Sequence, residues 1–73
     1  MNLDKDTIKA TMLEHLEAND YKNKPPEYIL SQVPIMFELL LKKGLVKEEM
    51  YGAFASSAEM MYVINMTRGY YGN

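Results

Sequence analysis

The residues able to do chemistry in this chain are few, and His15 is the first of them. It is the only histidine, and there is no cysteine. Nucleophilic catalysis therefore reduces to a hydroxyl working with one imidazole. Thr11 and Asn19 flank His15 four residues away on either side, so one helix face would carry all three. That face is the boundary of an apolar stripe, and Thr11 on a regular helix lacks the exposed, strained turn of an activated nucleophile. A solvated or half-buried histidine is the simpler reading.

The carboxylates offer little more. Glu14 and Glu17 share a helix face and would pair with lysines or hold an ion weakly. No acidic set has the spacing of a calcium loop. Glu48 and Glu49 suit the positive end of a helix dipole better than acid–base work. Gly44, Gly52, Gly69 and Gly72 are scattered, so no glycine-rich phosphate loop exists. The expectation is a protein without catalytic residues, metal ligands or cofactor.

Nucleic-acid binding is the main alternative. Leu41-Lys42-Lys43-Gly44-Leu45 could serve as the turn of a helix-turn-helix, with Lys42, Lys43 and Lys47 as a basic patch. The following helix would face DNA with Glu48 and Glu49, which repel phosphates. It places no Arg, Asn or Gln to read bases. The net charge of −2 is also too balanced for binding driven by counterion release. The longer run through Val46-Lys47-Glu48-Glu49 carries no family identity.

These residues must be positioned by helices. The chain has 73 residues, with 48% hydrophobic and 25% charged, which is room for a single globular domain. The fold class expected is all-α, a small bundle of three helices, or four if Pro34 breaks the second. A first helix over about 4–19 starts at the N-cap Asp4, with Leu3 placed to staple onto Ile8. A second, over about 26–43, opens at Pro25-Pro26 and stops at Gly44. A third, over about 46–67, ends before Gly69 and leaves a tail over 69–73. The second and third helices would pair like a hairpin. The longest apolar runs are far below the ~20 residues that span a bilayer. The amino terminus has no basic, apolar leader pattern. A cytoplasmic protein, of a bacterium or an infected cell, is expected.

Helical wheels give the argument about partners. The second helix is apolar on most of its circumference, with Ser31, Glu38 and Lys42 as its narrow polar stripe. The third has a core face of Val46, Met50, Tyr51, Phe54, Ala58, Met61, Tyr62 and Ile64. Its back face carries Gly52, Ser56, Met60 and Val63, small or apolar where Lys and Glu would be ordinary. Met12, Met50 and Met61 fit the core, whereas Met60 and Met66 are open to contact. Asn65 falls near the middle of the apolar face, where it would fix a helical register or mark an exposed helix end.

A chain this small buries only roughly 60% of its unfolded surface. With disulfides and metals excluded, self-association is the remaining support. The sequence thus predicts a non-catalytic protein–protein interaction module. It would form a homo-oligomer, a dimer by preference, through helices two and three, and bind a further protein of unknown identity. The expected contact residues are Gly52, Ser56, Met60, Val63, Tyr70 and Tyr71. A regulator or inhibitor of the kind encoded by phages and mobile elements, occluding a host macromolecule, fits this size and lack of chemistry.

Overall fold

The computed structural model describes residues 4–71, with side chains for 4–68. Five α-helices and no strand are found among the described residues. They are α1 Lys5–Ala18, α2 Glu27–Ser31, α3 Val33–Lys42, α4 Tyr51–Ala55 and α5 Ala58–Tyr71. Short 3-10 turns occupy Tyr21–Asn23 and Glu48–Met50. The all-α bundle is thus the observed architecture, built from more and shorter pieces than the sequence pattern indicated.

α1 begins where its cap residue dictates. Asp4 is extended, and its Oδ1 accepts from the Thr7 amide at 3.0 Å, satisfying one of the unpaired donors of the first turn. The Thr7 hydroxyl donates to the other Asp4 oxygen. These bonds hold the Asp4 carboxyl below its ordinary value, the Thr7 hydroxyl first and its backbone amide second. Ile8, Met12 and Leu16 form the buried stripe. Leu3 lies outside the described residues. Asp20 then takes a left-handed conformation (φ 56°), and both its carboxylate oxygens accept from Asn23 Nδ2. A short polar side chain that bonds locally makes this conformation accessible without glycine.

The second expected helix is divided. α2 ends at Ser31, Gln32 is the joint, and α3 resumes at Val33 with Pro34 in its first turn. Proline has no amide hydrogen to donate to Leu30 and clashes with that carbonyl in a continuous helix. At the joint it costs nothing, because first-turn donors have no intrahelical partner. α3 stops at Gly44, whose φ of +72° lets Leu45 N bond Leu40 O and Gly44 N bond Leu41 O, both at 3.0 Å. This is the paired closure of a Schellman motif.

The third expected helix, 46–67, is not one helix. A 3-10 turn starts at Glu48, α4 spans five residues, and the chain leaves the helical path at Ser56 and Ser57 before α5. Ser57 explains the interruption. Its Oγ donates to Phe54 O at 2.8 Å and accepts from Met60 N at 3.1 Å, while its carbonyl takes Met61 N at 3.0 Å. It is the N-cap of a new helix. At the other end, α5 continues through Gly69 to Tyr71, so 69–71 are not a tail. Glycine weakens a helix interior by about 1 kcal/mol but does not force an end.

The restart re-aims the apolar stripe. α5 buries Met60, Val63, Ile64 and Thr67. On a continuous helix this stripe would lie about 130° round from Phe54 at 100° per residue. Met61 and Tyr62, expected in the core, are consequently exposed, and so is Ala58. α5 packs chiefly on α1, and α3 contacts α1, α2 and α4. The hairpin-like pairing of helices two and three survives in the contacts of α2 with α5 and of α3 with α4. Phe37 is its hinge, 5.0 Å from the Tyr51 ring edge-on and 5.1 Å from Phe54.

The result is a closed core of Met12, Leu16, Ile29, Met36, Leu40, Met60 and Val63, each with no exposed surface. The accessible surface is 4783 Å², near the roughly 4600 Å² that mass scaling gives a folded monomer of this size. Breaking helices two and three into short pieces lets α2 and α4 join α1 in packing on α3.

Candidate interaction surface

A cluster of polar side chains that bridges helices forms around His15. Its Nε2 lies 2.7 Å from Gln32 Oε1, and an amide oxygen only accepts, so Nε2 carries the proton. Nδ1 then accepts from Asn19 Nδ2 at 3.3 Å, and the same Nδ2 donates to His15 O at 2.8 Å. Gln32 is only 8% exposed, and it stands at the joint between α2 and α3. The cluster therefore ties α1 to the place where the second helix divides. Asn19 takes up the position beside His15 that its spacing indicated. Thr11 makes no hydrogen bond to His15 among the described residues. Both ring nitrogens are held by amides, and a positioning role in the fold accounts for the arrangement.

Gln32 is the polar partner of His15 that sequence reasoning missed. Its only signal was a polar residue beside Ser31, two positions before Pro34, in a mostly apolar segment. Thr67 was missed as well. It is fully buried, and its hydroxyl is satisfied within its own helix by Val63 O at 2.9 Å and Ile64 O at 3.1 Å. Asn65, by contrast, is exposed and needs no buried partner.

The six expected contact residues are separated by the fold. Gly52 and Ser56 are exposed on α4 and at its end, with Ser56 Oγ bonded back to Gly52 O at 3.3 Å. A Cβ added at Gly52 would meet nothing within 4 Å, so no packing inside the chain requires glycine there. Met60 and Val63 are fully buried; the restart of α5 turns them into the core, and they share no surface with Gly52. The side chains of Tyr70 and Tyr71 lie outside the described residues. Of the methionines assigned by pattern, Met12 is buried and Met50 half-buried as expected, and Met66 is exposed.

What is exposed instead is a set of large apolar side chains. Leu30, Ile35, Tyr51, Met61, Tyr62 and Met66 each keep between 41% and 53% of their surface in solvent. Met61, Tyr62 and Met66 lie on the outward side of α5, with the uncharged Asn65 between them in sequence. Lys9 of α1 sets its ammonium 4.6 Å from the centre of the Tyr62 ring, a cation–π contact at the edge of this face.

The lysines of the DNA-binding alternative, Lys42, Lys43 and Lys47, are all exposed. The element following them is a 3-10 turn and then the five residues of α4, about 7.5 Å of helix. That is less than the helix a major-groove reader inserts. Among the described residues no three His, Asp or Glu side chains gather to hold a metal, and no helix is long and apolar enough to cross a membrane. Comparison with known proteins finds no family model, no curated protein and no solved structure that matches this chain.

Proposed function

We propose that this chain is a small, non-catalytic protein–protein interaction module that self-associates, with a dimer as the preferred state. The observation that carries the reading is the set of half-exposed large apolar side chains on a chain whose core is already closed. Single exposed hydrophobes are ordinary, but several on one short helix form the kind of surface that partners cover. The contact set expected from sequence is revised accordingly. Met61, Tyr62 and Met66 replace Met60 and Val63, and Gly52 and Ser56 stay as the small-residue surface of α4. Association adds to a completed fold in this reading, so the monomer stays folded on dilution. A cytoplasmic regulator that occludes or bridges another macromolecule is the role proposed for such a module.

Molar mass by light scattering or sedimentation across a wide dilution series tests the reading. A concentration-dependent dimer is expected, with Met61→Glu or Met66→Glu returning the chain to monomer at unchanged helix content. A strict monomer at millimolar concentration overturns self-association.

A further inference from the structure

A cleft of about 190 Å³ opens where the loop after α3, α4 and the start of α5 meet α1. Ile8, Val46, Met50, Ala53 and Phe54 form its walls. A cavity of about 150 Å³ lined by apolar side chains takes up benzene, so this one admits a single ring or a branched aliphatic group. Met50 is half-buried; its sulfur accepts from the Lys47 amide at 3.3 Å, and its unbranched side chain lines the space with a polarisable surface.

Ser57 and Glu59 supply the polar side of the cleft. The Ser57 hydroxyl is already engaged with Phe54 O and Met60 N. The half-buried Glu59 carboxylate has no hydrogen bond or ion pair with any described residue. Two more exposed carboxylates, Glu48 and Glu49, immediately precede Met50 and adjoin the ammonium of Lys47. Lys9, next to Ile8 on α1, is engaged by Asp6 at 3.6 Å and by the Tyr62 ring. The wall is therefore apolar and the surrounding charge negative. An apolar group carrying a cation beside it would meet both.

We propose that this cleft binds one apolar side chain of a partner protein, aromatic or branched aliphatic, with a basic group next to it, as on a Phe-Lys or Leu-Arg segment. The ring or aliphatic group fills the space between Ile8, Met50 and Phe54, and the cation faces Glu59. The proposal rests on the interaction-module reading only in naming a protein as the carrier. It does not depend on self-association.

The test is an NMR titration of the intact chain with acetyl-Phe-Lys-amide and, separately, acetyl-Phe-Glu-amide, following the methyl resonances of Ile8, Val46, Met50 and Ala53. Saturable shifts are expected for the basic dipeptide, with a Kd about two- to fivefold lower than for the acidic one, the scale of a half-exposed charge pair. Glu59→Gln should remove that preference and leave the apolar binding. Ala53→Leu, at an exposed helical position, should fill the cleft and abolish the shifts. Absence of saturable shifts with either dipeptide overturns the proposal. So does equal affinity for both dipeptides that Glu59→Gln leaves unchanged. Resonances that move with protein concentration alone would assign the cleft to a second copy of the chain and also overturn it. A chain that stays monomeric yet binds the basic dipeptide would overturn self-association and leave this proposal standing.

Discussion

The chain interrupts its helices twice, at Gln32 and at Ser56–Ser57, and the two joints are held by different forces. Gln32 keeps a near-helical backbone (φ −88°, ψ −6°) and is almost buried. Its side chain reaches across to His15 on α1, so a long-range hydrogen bond anchors the joint. Ser56 leaves the helical region (φ −110°, ψ 13°) and is exposed. The side-chain and backbone bonds at that joint are local, from Ser56 and Ser57 to residues three or four away. The first joint therefore depends on the rest of the fold, whereas the second is written in a single cap. Yet the second has the larger consequence, because the restart decides which side of α5 faces the core.

The largest expected effect tests that consequence. Met60→Ala should cost about 2–5 kcal/mol in denaturant unfolding, as a fully buried side chain. Met61→Ala should stay within about 0.5 kcal/mol. The opposite order would mean that helix three runs unbroken with the phase of its sequence pattern.

The first joint comes next in size. Gln32→Ala removes the acceptor of His15 Nε2–H in a part-buried setting, with an expected loss of about 1–2 kcal/mol. A double-mutant cycle with His15→Ala should show coupling between the two sites. Strict additivity would leave Pro34 alone responsible for the joint. At the second joint, Ser57→Ala should lower stability by about 1 kcal/mol through loss of the N-cap. Ser56→Ala should be close to neutral, and comparable losses at both serines would remove Ser57 as the cause of the break.

The smallest effect is at the chain's first cap. Folding lowers the Asp4 carboxyl below its unfolded value of 3.8. The stabilisation it gives is therefore present above that value and is lost as pH falls through the lower folded value. An acid titration of helix content should show a limb there that Asp4→Asn flattens. An unchanged limb would place the acid sensitivity of α1 elsewhere.

The sequence was most legible where one residue type enforces a local geometry. Asp4 as a cap, Gly44 as a stop and Pro34 as a breaker each act through their own backbone or nearest neighbours. Ser57 belonged to the same class, with Glu59 in the turn that follows it. It was overshadowed by an apolar pattern that continued across it, and a single slipped phase then exchanged Met60 and Val63 for Met61 and Tyr62. The candidate surface was less legible for that reason. Gly52 and Ser56 could be placed on an exposed side from spacing alone, but everything after the restart depended on a rotation that spacing does not record.

The sequence by itself determined that this protein is an all-α bundle whose helices begin at Asp4 and turn at Gly44, because caps, prolines and glycines act within one turn of chain. Only the tertiary structure decided that α5 lies chiefly on α1, that Gln32 meets His15 across 17 positions, and that a cleft remains beside Glu59. Those outcomes depend on the relative rotation of whole helices. That rotation is set by how complete side-chain volumes fill a shared core, a property of all the helices together.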